Sequence, residues 1–280
     1  MKPCISQATT LTTPYEVDLP ALSQSGWELV EIWLPKLEAF RREKSLEEAR
    51  ALIVDHGLEA PAAAGQTGLL SLRGEAHRAA LEQYRRRLDE LSVLGIGTLV
   101  VAADFPTMPD EGSLGPSIER LAEVASLAKA RGLKIALEFQ SSNRFAASLD
   151  TTLALIAQAD QPNLGVCLDL FHFYTGPSKF EDLSYLNPRN LSWLQLCDLG
   201  GTPREMARDG DRILPGEGDF QVGPILDQLA AVRYDGPASL EVLNPSLWEI
   251  AADRVAPIAL QALLRALGNH ATGAEPEAPE

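Results

Sequence analysis

The segment from Lys134 to Asp169, KIALEFQSSNRFAASLDTTLALIAQADQPNLGVCLD, decides the fold. Its opening, Lys134–Phe139, is an apolar run too short for a helix and reads as a strand. Leu149–Ala159 then carries apolar residues at helical spacing, and Leu164–Leu168 is a second strand-like run. Strand, helix and strand in succession form the βαβ unit of a parallel sheet. The rhythm continues downstream with a strand at Trp193–Leu196, a helix at Phe220–Ala231, a strand at Ala238–Val242 and a closing helix at Leu247–Leu267. Upstream, Cys4–Thr9 and Trp27–Leu34 (WELVEIWL) read as the first two strands, Leu58–Gly65 as a weak third and Thr98–Ala103 as the fourth. Helical patterns cover Ser45–His56, stopped by Gly57, and Glu75–Leu94, ended by Gly95. Another helix is expected to open with Pro116 at its first position and to stop at Gly132. About eight strand-then-helix units result, which predicts an α/β chain folded as a (β/α)8 barrel over residues 1–268. A doubly wound sheet binding a dinucleotide is disfavoured, because no GxGxxG follows the first strand. Residues 269–280 (NHATGAEPEAPE) are expected to form a disordered acidic tail.

Composition agrees with a globular chain. Of 280 residues 45% are hydrophobic and 22% charged, and the mean hydropathy is −0.05. Basic residues number 24 and acidic residues 39, a formal charge of −15. That surface repels polyanions, and the densest basic run, Arg85–Arg87, lies in a helical pattern, so nucleic acid is not an expected partner. No apolar stretch approaches the ~18–20 residues that span a bilayer, so no membrane partner is expected. Met1–Thr13 does not have the form of a signal peptide, and a cytoplasmic location is expected. Cys4, Cys167 and Cys197 are widely spaced and include no CxxC pair, which predicts buried, unpaired thiols.

In such a barrel, chemistry gathers at the C-terminal ends of the strands. The fifth strand ends in IALEF with Glu138 and the sixth in GVCLD with Asp169. The seventh, WLQLCD, holds Gln195 with Asp198 just past it, and the eighth ends in ASLEV with Glu241. Barrel closure aims Glu138, Asp169, Gln195 and Glu241 at one point on the axis. Three carboxylates crowded there repel one another unless a cation neutralises them, so the set implies one divalent metal. Oxygen ligands without thiolate favour Mn2+ or Mg2+, with Co2+ or Zn2+ as alternatives. His172, in DLFHFYTG, reads either as a satisfied core histidine or as a residue above the metal that meets a substrate hydroxyl. Arg212, in the turn RILPGEGD, reads either as a holder of a substrate oxygen or as a surface partner of Asp209, Asp211 or Glu217. The loop Gly200–Asp211 has the length and mixed charge of a lid.

Together ALEF, CLDLFHF, WLQLCD, RILPGEGD and SLEV resemble the sugar phosphate isomerase/epimerase superfamily with a xylose-isomerase-like TIM barrel. Its members include tagatose/psicose 3-epimerases, inosose dehydratases and 3-dehydroshikimate dehydratases. The resemblance spans nearly the whole chain and is strongest over Lys134–Val242. It implies that Glu138, Asp169, Gln195 and Glu241 bind one divalent metal, that Glu138 and Glu241 are the acid/base pair, and that His172 and Arg212 bind substrate. Gln195 departs from the epimerases, which usually place histidine there, and is closer to the dehydratases. The endonuclease branch, with its multi-histidine three-zinc cluster, is excluded by the four histidines of this chain. The expected activity is isomerisation or epimerisation of a ketose or related polyhydroxy carbonyl compound through a metal-stabilised enediolate. The alternatives are dehydration of the 3-dehydroshikimate or inosose type, and a non-catalytic sugar-binding relative. The expected partner is that small molecule, and the exposed faces of such a barrel also allow a homo-oligomer.

Overall fold

The computed structural model describes residues 1–272. Eight strands run β1 (Lys2–Ser6), β2 (Leu29–Trp33), β3 (Glu59–Gln66), β4 (Thr98–Ala102), β5 (Lys134–Glu138), β6 (Leu164–Asp169), β7 (Leu191–Leu196) and β8 (Pro237–Leu240). Each pairs with the next, and β8 pairs in parallel with β1, so the sheet closes into the barrel that the sequence predicts. Helices between strands cover the outside. Strands covered on both faces become near-continuous apolar runs, and β6 (LGVCLD) is buried at every residue.

Local chemistry sets the helix limits. Ser45 and Glu48 form a reciprocal capping box that starts Leu46–Asp55. Gly95, at φ 78°, supplies the left-handed turn that ends Gly74–Leu94. Several limits differ from the sequence reading. The first strand stops at Ser6, because Gln7–Thr10 winds into a short 3-10 turn whose Ala8 N–H donates to Ser6 Oγ. Helices at Tyr15–Gln24, Leu34–Phe40 and Leu170–Thr175 had no distinct pattern; the first carries Pro20 inside it. Pro116 does not open its helix, which spans Glu111–Lys129. Proline removes one intrahelical donor, and the Ser113 and Ser117 hydroxyls bond to the carbonyls of Asp110 and Ser113 around it. The closing segment is two helices: Pro245–Trp248, capped by Asn244, and Ala252–Thr272. The latter runs past Leu267 into the segment read as a tail, and the rest of that tail, 273–280, lies outside the described residues.

Inside the barrel, Cys4, Leu29, Ala62, Ala64, Val100, Ala136, Cys167 and Trp193 form one cluster, separate from the larger core between sheet and helices. Small side chains on β3 to β5 face Trp193 on β7. This asymmetry leaves space above the cluster at the C-terminal end. All three cysteines are buried and unpaired, as expected. No helix among the described residues is long and apolar enough to cross a membrane.

Candidate functional site

Glu138 ends β5, Asp169 ends β6, and Glu241 directly follows β8, where its N–H continues the ladder to the Leu196 carbonyl. One oxygen from each of these carboxyls lies within 4.8 Å of the other two, and all three residues are buried or nearly so. Burial first, then the charges of Asp169 and Glu241, hold the Glu138 carboxyl well above the usual carboxylate range. Burial likewise raises Glu241 well above it, against the opposing pull of Arg212. Such a set fits a hard divalent cation: the donors are oxygens, they converge, and they resist ionising together without a counter-charge.

Gln195 lies beside Asp169 and Ser239 in register. Its Nε2 donates to Glu241 Oε1 and to Glu31 Oε1, both at 3.0 Å, while its Oε1 accepts from the Cys167 thiol. The donor end of the amide thus faces the carboxylates. Turning the amide presents its oxygen instead.

Arg212 is brought beside these carboxylates. Its guanidinium is 2% exposed and donates to Asp169 at 2.7 Å, to Asp209 at 2.8 Å and to Glu241 at 3.3 Å. Of the three surface acids considered, Asp209 is a partner, but the pairing is inside the site. Cζ also sits 4.6 Å from the centroid of the Phe171 ring, a cation–π contact. Although burial opposes it, the charge of Asp169 and its neighbours keeps the guanidinium firmly protonated. His172 is brought to the same place. Its backbone N–H donates to Asp169 Oδ1 at 2.9 Å, so Asp169 caps the short helix that carries the imidazole. Burial lowers the His172 pKa despite the nearby Asp169, which favours the neutral ring. Nδ1 lies 3.2 Å from Ser141 Oγ and Nε2 3.4 Å from Arg212.

Asp198 has a different task. Its carboxylate accepts from the N–H groups of Leu199, Gly216 and Phe220, each at 2.9 Å, and pins the PGEG turn. A two-residue antiparallel bridge from Asp198 to Ile213 then places Arg212. Within the Gly200–Asp211 loop, short turns at Arg204–Met206 and Asp209–Asp211 bring Asp209 onto Arg212.

Sequence reasoning missed Glu31, Gln140, Ser6 and Ser239. Gln140 donates to Glu138 at 2.6 Å, and the Ser6 hydroxyl to Glu241 at 3.2 Å. Glu31, within β2, accepts from Gln195 and Ser239; burial pushes its carboxyl up to about 7. The signal for it existed, an acid inside the apolar run WELVEIWL, but it lies two residues before the strand end. A cavity of about 190 Å³ opens above these groups. Trp33, Ala64, Val100 and Ala102 form one wall, and Glu138, Gln195, Glu241, His172 and Arg212 the other.

A closed parallel barrel with converging carboxylates at its C-terminal end defines a class of (β/α)8 protein with a candidate metal site. The chain belongs to the xylose isomerase-like TIM barrel family, whose model matches residues 19–266. It is 25% identical to an inosose isomerase of Halalkalibacterium halodurans, over 97% of this chain and 98% of that one. It is 28% identical to a 3-dehydroshikimate dehydratase of Pseudomonas aeruginosa, over 81% of this chain and 36% of that longer protein. Both relatives are enzymes. Among solved structures, the IOLI protein with a bound zinc atom superposes with a TM-score of 0.90 at 21% identity, covering 96% of this chain and 99% of that one.

Proposed function

We propose that this protein is a divalent-metal-dependent isomerase or epimerase of an uncharged polyhydroxy ketone, working by proton transfer next to the carbonyl. The observation that carries the reading is the convergence of Glu138, Asp169 and Glu241 within 4.8 Å, with Glu138 and Glu241 lining the cavity and Asp169 buried beside them. Glu138, Asp169, Glu241 and the oxygen of Gln195 would hold the metal, which when bound stabilises negative charge on the substrate oxygens.

The chain's own residues account for the proton movements. Glu138 and Glu241 approach the cavity from different strands, and burial raises both well above the usual carboxylate range. One takes the α-proton as the C–H electrons move toward the carbonyl. The other returns a proton to the same carbon, giving the epimer, or to the former carbonyl carbon. In the second case the neighbouring hydroxyl's proton passes to the former carbonyl oxygen and the isomer results; neither changes the atom count. Gln140 orients Glu138, and Ser6 with Gln195 orients Glu241. Neutral His172 is suited to meet a substrate hydroxyl, and Arg212 to hold a substrate oxygen at the mouth.

The dehydratase relative supports a second reading, since loss of a β-hydroxyl follows the same first proton transfer. The wall composition favours the first. Among the described residues lining the cavity, Arg212 is the only arginine or lysine, against Glu138, Asp209 and Glu241, and it is already engaged. A carboxylate or phosphate on the substrate would find no free cationic side chain among these lining residues.

The test is incubation of the Mn2+-loaded protein with inososes and ketoses in D2O. Deuterium gained by a retained carbon skeleton, and abolished in Glu138→Gln and Glu241→Gln, supports the proposal. Loss of water moves the assignment to a dehydratase. Bound sugar without exchange makes the chain a binding protein.

A further inference from the structure

We infer that Trp33 is a specificity-determining residue, which limits the cavity to a substrate the size of one sugar by walling it off from a second pocket; this rests on the polyhydroxy-ketone reading above. The cavity above the carboxylates measures about 190 Å³. Beside it, between the turn after β1 and the helix after β2, lies a pocket of about 440 Å³. Both connections follow strands, so the second pocket opens at the same end of the barrel as the first. Among the described residues, Trp33 alone lines both.

The sequence puts the indole there. Side chains alternate along β2: Val30 and Ile32 join the core under the helices, while Leu29 and, at the strand end, Trp33 pack with the cluster inside the barrel. The ring then rests on Gly65, whose φ of 99° favours glycine. A Cβ at Gly65 would press on Pro35 Cδ at 3.2 Å and touch the indole Cζ3 at 3.5 Å, so the missing side chain is the berth of the ring. The backbone is tied too, since the Trp33 N–H donates to the buried Gln7 Oε1 at 3.2 Å. On the far side of the ring, the second pocket sets Thr12, Glu16 and Lys44 beside the rings of Tyr15 and Phe40. Aromatic surface with a few polar groups suits a further sugar ring. The first cavity is smaller than the ~300–1,000 Å³ that hold drug-sized ligands, so a substrate longer than one sugar has to pass through the volume that the indole fills. Such a wall selects by repulsion, acting against the larger competitor.

The experiment titrates two probes calorimetrically into Mn2+-loaded wild type and Trp33→Ala, and follows deuterium exchange of each in D2O. One probe is an inosose; the other is lactulose, a ketose that carries a galactosyl group. Wild type is expected to bind the inosose and to exclude lactulose. Trp33→Ala is expected to bind lactulose at least ~10-fold more tightly than wild type does, and to bind the inosose ~10-fold more weakly because one wall of its cavity is gone. The second loss should fall on KM, since the indole brings no titratable group to the reaction. Far-ultraviolet circular dichroism confirms folding, and if Trp33→Ala fails to fold, Trp33→Leu takes its place. Lactulose bound equally by wild type and the folded variant, or by neither while both bind the inosose, would overturn this inference alone. The expected selectivity in binding without exchange in either protein would overturn the catalytic reading and leave the wall standing. No binding of either probe by either protein would overturn both.

Discussion

Replacing Glu31 by Gln should stabilise the metal-free protein, and by an amount that grows with pH. The Glu31 carboxyl ionises near 7 in the fold, against 4.5 as its ordinary value, and burial is the principal cause. Below pH 4.5 both folded and unfolded chains hold this proton, and the side chain costs nothing through ionisation. As pH rises from 4.5 to 7 the unfolded chain loses the proton first, and stability falls; above 7 the deficit is constant. At about 1.4 kcal/mol per pH unit, the deficit is about 1 kcal/mol at pH 5.5 and about 3 kcal/mol at pH 8. Gln keeps the shape and the hydrogen-bond partners but does not ionise, so the variant escapes the deficit. For a chain of this length 1 kcal/mol moves the midpoint by about 2 °C, so the gain in Tm should widen by about 4 °C between the two pH values. The assay is thermal unfolding of chelator-treated wild type and Glu31→Gln at both. A gain that does not change with pH would mean that Glu31 is not ionising in a dry site. A variant less stable at pH 8 would mean that a buried positive charge compensates it.

Three further outcomes follow from the same geometry. Mass spectrometry should find about one Mn2+ per chain after loading the wild type, lost in Glu138→Ala, Asp169→Ala and Glu241→Ala, with affinity falling as pH is lowered because protons compete with the metal for the carboxylates. Arg212→Met leaves Asp169, Asp209 and Glu241 without their shared counter-charge and should cost about 3–5 kcal/mol in urea unfolding of the metal-free protein at pH 8; Mn2+ at a hundred times its Kd should recover about 2.7 kcal/mol, and equal metal-free stability would contradict the pairing. In Gly218→Ala the new methyl would clash with both Asp198 Oδ1 and the Leu199 carbonyl, so a loss of about 1–3 kcal/mol is expected, whereas Gly223→Ala meets nothing within 4 Å and should be neutral or stabilising on the same melts.

The barrel and the polar strand ends were legible in the residues because both are local properties. A parallel strand covered on both faces must be apolar along its length, so an acid at its end, as in IALEF or GVCLD, stands out without knowledge of its neighbours. Glu138, Asp169, Gln195 and Glu241 were readable in this way, and the stop at Gly95 for the same reason. Pro116 misled because proline's preference for a first turn is only a tendency, and the helix, which begins at Glu111, accommodates it in its interior. Other features depend on closure. Ser6 reaches Glu241, and Ser239 reaches Glu31, only because β8 docks on β1. Arg212 could be paired in sequence with any of three nearby acids; the Asp198–Ile213 bridge buries it against Asp169 and Glu241, and of the three only Asp209 is paired with it among the described contacts. Residue types and strand periodicity determined which groups point inward. Tertiary structure alone decided which of them share one dry volume, and that sharing fixes their protonation and where a counter-charge is needed, because the electrostatic cost of a carboxylate depends on its neighbours in space rather than along the chain.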